Sequence, residues 1–255
     1  MNVHCLATCL RPDRFGAVEL LFHTVRKGFP SSNILVYGNG LSPEISHYTQ
    51  SCCRAVGAQF MNIPVVSHGQ WLEQLVATER DPFWVTDSDI VFFDKVEHWF
   101  DSAGSDVLYS GRLEPKFFEP WTSTIHVERL HPSLLWINPQ LLRAALRSYP
   151  HGREFLSTVT YEPFKWQMIT MRDGDKKKVY FYDTTAGLYH SIDGQPFTDE
   201  QNAAFEHLLC GTYSHMLTDH NNLQQVHDEI FRHPYKARGL KVSQDKWYAD
   251  NAVKG

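Results

Sequence analysis

Two aspartates, Asp87 and Asp89, stand one residue apart in the stretch DPFWVTDSDIVFFDKVEHWF, residues 81–100. Apolar runs precede and follow them, so two carboxylates lie at a junction whose backbone should be buried. Along an extended chain, residues i and i+2 point the same way, so the pair can share one cation. Without a cation the like charges would repel, and one carboxyl would have to stay protonated. Oxygen ligands of this kind suit Mg²⁺ or Mn²⁺, with a phosphorylated ligand completing the coordination.

The Asp-x-Asp pattern has little weight by itself, because short motifs also arise by chance. The chain contains a second example, Asp173-Gly174-Asp175. Glycine and lysine surround that pair, which is typical of a solvated turn between two apolar segments. For the first pair, the simpler alternative is a strand-end turn whose aspartates cap a helix.

Strand-length apolar runs alternate with helix-period segments along the first half of the chain. The predicted strands are residues 2–9, 33–37, 58–66 and 82–86. This β-α-β-α-β-α-β order predicts an α/β fold with a mostly parallel sheet covered by helices. Asp87 and Asp89 then follow the fourth strand, at the sheet edge where open α/β sheets bind ligands.

The second half is less regular. Strands are predicted within residues 105–113, 132–139 and 176–190. Asn138 and Pro139 are typical of a helix start, and Thr198 with Gln201 forms a capping box for a helix that stops at Gly211. Without a repeat or linker, we expect a single domain over residues 1–255. Its nucleotide-binding half would be residues 1–104 and its acceptor-side half residues 105–255.

Composition limits the classes of function. The net charge is −5 and the pI about 6.3, so no global basic field indicates nucleic-acid or membrane binding. Five irregularly spaced cysteines without Cys-x-x-Cys indicate buried thiols rather than a zinc module or disulfide framework. No apolar run reaches the ~18 residues of a membrane span, and the N-terminus lacks a signal-peptide pattern. These features predict a soluble, cytoplasmic protein.

The residues around Asp87 and Asp89 resemble the metal-binding stretch of GT-A glycosyltransferases. The outline is closest to the retaining group of glycogenin and bacterial lipopolysaccharide galactosyltransferases, glycosyltransferase family 8. In that group the pair is followed by an apolar run, an aspartate and a helix like the VEHWF segment here. The segment LATCLRPDRF is similar to the uridine-side loop, and HPSLLWINPQLL to the strand that shapes the sugar pocket. The segment YHSIDGQPF resembles a late segment whose histidine is the third metal ligand.

The resemblance implies a GT-A (Rossmann-like) fold and metal-dependent transfer of a sugar from a nucleotide-diphosphate donor, UDP-linked and with retention favoured. The implied metal ligands for Mn²⁺ or Mg²⁺ are Asp87, Asp89 and His190, with His215 and His220 as fallback histidines. The implied nucleotide-binding residues are Ala7, Thr8, Arg11, Asp87, Ser88, Asp89 and Gly194. One departure concerns the leaving diphosphate, because Gln195 stands where the group has lysine.

For the catalytic residues, the sequence leaves several alternatives open. Gln167 is the residue that matches the group on the face of the sugar opposite the leaving group, and Glu162 is a carboxylate alternative. Inversion would instead require a general base, for which Asp193 or Glu128 is suited. No role is assigned to His4, His47, His68, His98 or His207.

Two other functions compete with sugar transfer. A phosphohydrolase of the haloacid dehalogenase type would use Asp87 as nucleophile and Asp89 as acid/base, since FWVTDSDIV fits its motif. A non-catalytic nucleotide-sugar binding module would keep the sheet without turnover. The sugar, the nucleotide, the oligomeric state and the acceptor (a glycan, lipid, protein or modified DNA base) are left open.

Overall fold

The computed structural model describes residues 1–8, 16–101, 106–119, 124–148, 154–155, 159–160, 163–165, 167–173 and 176–207. Within these residues the chain forms two compact units, each built from separate segments. The first unit comprises residues 1–66, 84–101 and 198–207, and the second comprises residues 67–83 and 106–197. No helix in the described part is long and apolar enough to span a membrane.

Six helices and fifteen strands are defined in the described residues. The helices are α1 (Gly16–Gly28), α2 (Pro43–Ala55), α3 (His68–Thr78), α4 (Pro139–Ser148), α5 (Ala186–Ser191) and α6 (Asp199–Ala203). The first strands are β1 (Asn2–Thr8), β2 (Asn33–Asn39), β3 (Gln59–Ile63), β4 (Phe83–Asp87), β5 (Ile90–Phe92), β6 (Tyr109–Glu114), β7 (Phe117–Glu119) and β8 (Thr124–His126). The remaining strands are β9 (Arg129–Ile137), β10 (Glu154–Phe155), β11 (Val159–Thr160), β12 (Gln167–Asp173), β13 (Lys176–Tyr182), β14 (Gln195–Pro196) and β15 (Phe205–His207).

The first unit contains strands in the order β4-β1-β2-β3. β1 pairs in parallel with β2, and β2 in parallel with β3. Every residue of β1 from Val3 to Ala7 is buried, as expected for a strand covered on both faces. α2 starts after Ser42, whose hydroxyl accepts a hydrogen bond from the backbone of Ile45. The α/β class predicted from the alternation of the first half is therefore confirmed.

The second unit is mixed rather than parallel. β6 pairs antiparallel with β9 and parallel with β14. A four-stranded sheet has the order β12-β13-β8-β7. α3 and α4 are tied together because Arg143 donates hydrogen bonds to the carbonyls of Val76 (2.6 Å) and Glu79 (2.8 Å) at the end of α3. These mixed pairings confirm the prediction that the second half of the chain is less regular than the first.

Several local predictions are confirmed. α4 follows Asn138, whose side-chain oxygen accepts a hydrogen bond from Leu141, and begins at Pro139. α6 follows Thr198, which forms a capping box with Gln201. Of the second Asp-x-Asp, Asp173 is the last residue of β12 and pairs with Lys176 of β13, so the solvated turn expected there stays a prediction. Asp175 lies outside the described residues.

Three secondary-structure predictions were wrong. The helix expected from Thr198 to Gly211 ends at Ala203, and residues 205–207 form β15. Phe205 is fully buried and pairs with Phe92 of β5, so strand pairing prevails over helix propensity. His190, expected between a strand and a turn, lies in the short helix α5. The helix expected around VEHWF is a series of turns. Gly211 lies outside the described residues.

Candidate metal centre

The Asp87–Asp89 segment spans a strand end and a tight turn. Asp87 is the last residue of β4, Ser88 and Asp89 form the turn, and β5 begins at Ile90. The pair therefore does not lie along one extended chain as predicted. The four residues of β4 that precede Asp87 are buried, and they fix the backbone from which the carboxylates project.

A third polar residue, His207, lies beside this turn. β15 pairs antiparallel with β5, with His207 opposite Ile90. The backbone carbonyl of Ala204 also accepts hydrogen bonds from Phe93 (2.7 Å) and Asp94 (3.1 Å). As a result the imidazole Nε2 of His207 lies 3.2 Å from Asp89 Oδ1 and 4.0 Å from Asp87 Oδ2.

These three side chains form the group in the described residues that could hold a metal ion, with one ligand atom each and all ligand atoms within 4.8 Å of one another. Octahedral Mg²⁺ keeps its ligands at ~2.1 Å, so adjacent ligand atoms are about 3 Å apart and opposite ones about 4.2 Å. The distances of 3.2 and 4.0 Å match this spacing. Two carboxylates and one imidazole therefore fit a single Mn²⁺ or Mg²⁺ ion.

The buried thiol of Cys5 lies within the electrostatic influence of the two aspartates. Burial, followed by the negative charges of Asp87, Cys53 and Asp89, raises the pKa of the Cys5 thiol well above its ordinary value. The thiol therefore stays neutral and is not suited to bind a metal, because the thiolate is the metal-binding form. The ligand set is made of oxygen and nitrogen.

The carboxyl ends of β1 and β2 are joined by one side chain. Asn39, the last residue of β2, donates hydrogen bonds to Thr8 Oγ1 (3.2 Å) and to the carbonyl of Val66 (3.0 Å), and accepts one from the Val66 backbone (2.9 Å). Ala7 is fully buried beside Thr8. The nucleotide contacts expected of Ala7 and Thr8 stay predictions, and Arg11 lies outside the described residues.

His190, the histidine predicted as third ligand, has a different environment. Its Nε2 lies 3.0 Å from the backbone carbonyl of Glu128 in the second unit. Burial lowers the pKa of His190, and the carbonyl contact and the Glu128 carboxylate oppose that effect. His190 is not part of the metal-binding group found in the described residues. Its role as a ligand stays a prediction, for which His207 now offers the alternative; the fallback residues His215 and His220 lie outside the described part.

Asp193 and Gly194 follow α5. Asp193 is exposed. A methyl group on Gly194 would come within 2.4 Å of Tyr109 Cζ and 2.6 Å of Leu130, so packing alone requires glycine. Burial, followed by the charges of Glu128 and Asp193, raises the pKa of Tyr189. Catalytic use of Asp193 or Glu128, and nucleotide binding by Gly194, stay predictions.

The two residues predicted to act on the sugar are only partly described. Gln167 is the first residue of β12, where it pairs with Tyr182 of β13. Glu162 lies outside the described residues. The roles of Gln167 and Glu162 therefore stay predictions.

The similarity of this chain to known proteins is found at the level of solved structures. No protein-family model and no curated protein matches the chain. Among solved structures, it is similar to the galactosyltransferase LgtC in complex with donor and acceptor sugar analogs, at 13% identity and a TM-score of 0.39. That match covers 56% of this chain and 60% of LgtC, so the chain spans about three fifths of the length of that protein.

Two further structures are similar at the same level. One is the mannosyltransferase PcManGT from Pyrobaculum calidifontis in complex with GDP-Man and Mn²⁺ (9% identity, TM-score 0.40, 56% of this chain and 46% of that one). The other is the glycosyltransferase GlyE in Streptococcus pneumoniae (11% identity, TM-score 0.43, 79% of this chain and 46% of that one).

Proposed function

We propose that the chain is a metal-dependent glycosyltransferase that moves a sugar from a nucleotide-diphosphate donor to a hydroxyl acceptor. The observation that carries the proposal is the group of Asp87, Asp89 and His207, which fits one Mn²⁺ or Mg²⁺ ion at the end of β4. A divalent ion at the end of a strand in an open α/β sheet is placed to bind a phosphorylated ligand.

The chemistry assigned to each residue follows from its position. Asp87, Asp89 and His207 would hold the ion, and oxygen atoms of the donor's phosphates would complete its coordination. When bound, the ion neutralises the negative charge that develops on the leaving diphosphate. Asn39 fixes the hydroxyl of Thr8, the residue we assign to the nucleoside, by donating a hydrogen bond to it.

Which residues act on the sugar depends on whether the transfer retains or inverts the configuration of the sugar. With a UDP-linked donor and retention, Gln167 or Glu162 would face the side of the sugar opposite the diphosphate. With inversion, Asp193 or Glu128 would remove the proton of the acceptor hydroxyl.

The proposal is tested by thermal unfolding with nucleoside diphosphates and nucleotide sugars, each with and without Mn²⁺. We expect UDP with Mn²⁺ to raise the melting temperature of the wild type, because a ligand that binds only the folded state stabilises it. Asp87→Asn and Asp89→Asn should abolish the Mn²⁺-dependent part of this shift, and His207→Ala should reduce it strongly. His47→Ala is the matched control, because His47 is exposed on α2 of the same unit.

His190→Ala decides between the two candidate histidines. We expect it to keep the full Mn²⁺-dependent shift; loss of the shift in His190→Ala with retention in His207→Ala would assign the ligand role to His190. The proposal is wrong if no nucleotide stabilises the protein with Mn²⁺, or if the aspartate variants respond like the wild type. Hydrolysis of an aryl phosphate with Mg²⁺ alone would indicate the phosphohydrolase. Nucleotide binding without transfer or donor hydrolysis would indicate a binding module.

A further inference from the structure

The sheet of the first unit ends in a strand that is only partly covered. In the described part of the chain, β3 pairs with β2 and stands last in the strand order. None of the five residues of β3 is buried, whereas β1 is buried from Val3 to Ala7. Met61, at the centre of β3, is 42% exposed. The N–H and C=O groups along the outer edge of such a strand can pair with another strand.

The sequence of β3 lacks the features that commonly protect a strand edge. It reads QFMNI and contains no charged residue and no proline. It pairs with β2 at five consecutive positions, so it runs straight along its neighbour. Natural sheets protect exposed edges with lysine, proline or bulges. A straight, neutral edge with an exposed methionine at its centre therefore indicates a surface for strand pairing.

A groove with a volume of about 380 Å³ lies beside this edge, between β3 and α2. The residues of α2 that line it are three or four positions apart, so they share the side of the helix that faces the strand edge. A second sheet edge joined to β3, with its own helix on the same side, would close this groove. The lining residues are Pro43, Ser46, His47 and Gln50 of α2 and Phe60, Met61 and Asn62 of β3.

We infer that β3 pairs antiparallel with β3 of a second copy of this chain, about a two-fold axis at Met61. This register pairs Gln59 with Ile63 of the other copy, Phe60 with Asn62, and Met61 with Met61, so the whole strand is used. The axis is perpendicular to the sheet, and both α2 helices therefore lie on the same side of the joined sheet. Such a contact uses the same patch on both copies and closes at the dimer.

The position of α2 over β3 fits this axis. Ser46 Oγ donates a hydrogen bond to Asn62 Oδ1 (2.8 Å), which places Ser46 beside Asn62. A strand rises about 3.3 Å per residue and a helix about 1.5 Å, so one step along β3 corresponds to roughly two along α2. Because α2 and β3 run antiparallel, the axis at Met61 lies beside Tyr48 and Thr49, in the middle of α2. The two helices therefore overlap along their full length.

The charges at the two ends of α2 are complementary in this arrangement. The helices of the two copies run antiparallel, so the first turn of each lies beside the last turn of the other. Glu44 is in the first turn, Arg54 is in the last turn, and both are exposed. Two symmetric Glu44–Arg54 pairs and the opposed helix dipoles favour this contact. This charge complementarity is the reason for assigning a second copy, rather than another partner, to the edge.

The inference is tested by sedimentation velocity of the full chain over a range of protein concentrations. We expect the wild type to show a monomer–dimer equilibrium. Met61→Lys should raise the dissociation constant of the dimer about tenfold or more, because it places two like charges opposite each other at the axis. Tyr48→Lys is the matched control and should leave that constant unchanged. Tyr48 is 40% exposed, close to the 42% of Met61, but it does not line the groove.

A charge exchange on α2 tests the orientation of the two copies. Glu44→Arg and Arg54→Glu should each raise the dissociation constant of the dimer roughly threefold or more, since each removes both symmetric ion pairs. The double variant should restore the affinity, because the pairs form again with their signs reversed. An effect on the helix alone would not be restored, because both substitutions oppose the helix dipole.

Oxidative cross-linking tests the position of the axis. Met61→Cys should form a disulfide-linked dimer, because directly opposed residues of antiparallel strands bring their Cβ atoms close enough. Tyr48→Cys should cross-link no more than the wild type. The inference is overturned if the wild type is monomeric at every concentration, if Met61→Lys dimerises like the wild type, or if Met61→Cys cross-links no more than Tyr48→Cys. Monomers with slow amide exchange in β3 would also overturn it, because another part of the chain would then cover the edge.

Discussion

His4, in the middle of β1, is a buried titratable side chain of the first unit. It is fully buried, and its Nδ1 lies 2.9 Å from the hydroxyl of Tyr37. Burial lowers the pKa of His4 from 6.5 to about 4. The neutral imidazole is therefore part of the folded core, and its protonation must be coupled to unfolding.

We expect His4 to make the protein less stable in acid. Between the two pKa values the unfolded chain binds a proton and the folded chain does not, so the free energy of unfolding falls as the pH drops from 6.5 towards 4. A shift of this size corresponds to about 3 kcal/mol. Urea unfolding at pH 7.5, 5.5 and 4.5 measures the effect, and His4→Gln should flatten the pH dependence. An equal slope in His4→Gln and in the exposed-site control His47→Gln would assign the acid sensitivity to other groups.

Glu97 shows how one residue can anchor a loop. Its carboxylate accepts hydrogen bonds from the backbones of Ser31 (3.0 Å) and Ser32 (3.1 Å) and from the Ser32 hydroxyl (2.9 Å). Burial alone would raise the pKa of Glu97, but these bonds outweigh it and lower the pKa. The carboxylate is therefore stabilised in its charged form between α1 and β2.

Glu97→Gln should lower the free energy of unfolding near neutral pH by about 1.5–3 kcal/mol, since hydrogen bonds to a charged group are replaced by weaker ones. Because the folded pKa is lowered, the contribution of Glu97 is present above the unfolded pKa of 4.5 and is lost as the pH falls through the folded value. Denaturant titration of both proteins at pH 7.5 and pH 3 tests this. A difference that stays the same at the two pH values would contradict it.

Among the elements, β15 is a short strand held by its pairing with β5 and by the buried side chain of Phe205. It is three residues long, it pairs with β5, and it carries His207 at its end. A bound ion would connect β15 to the turn of Asp87 and Asp89 through a second set of bonds. The metal should therefore suppress local opening of this strand pair.

We expect Mn²⁺ at saturating concentration to slow amide hydrogen exchange in β5 and β15 by roughly tenfold or more, because opening must then release the ion. His207→Ala should remove this protection. β12 and β13 provide an internal control, because none of the three ligands lies in their unit. Equal protection of β15 in the wild type and in His207→Ala would show that the imidazole does not bind the ion.

For the molecule as a whole, local signals predicted the α/β class, the strands of the first unit and two helix caps. The caps at Asn138 and Thr198 depend on residues three positions away, and the strands of the first unit depend on short apolar runs. Each could be predicted because the interaction that fixes it lies within one turn or one strand. The α/β class follows from their order alone.

The candidate site was predicted only in part, for a physical reason. Asp87 and Asp89 are close in sequence, so their pairing was evident. His207 reaches them only through the pairing of β15 with β5, and a single histidine among fourteen gives no local sign of such a contact. Arg129 is similar, because its partners Glu114 and Asp183 belong to other segments of the chain.

The discontinuous first unit also has a consequence for biosynthesis. Its candidate metal ligands Asp89 and His207 lie on either side of residues 106–197, the longer of the two segments of the second unit. A ribosome that makes about 5–20 residues per second must translate that entire segment after Asp89 before His207 appears. Nascent chains should therefore acquire high affinity for Mn²⁺ only late in translation, after the polypeptide of the second unit has left the exit tunnel.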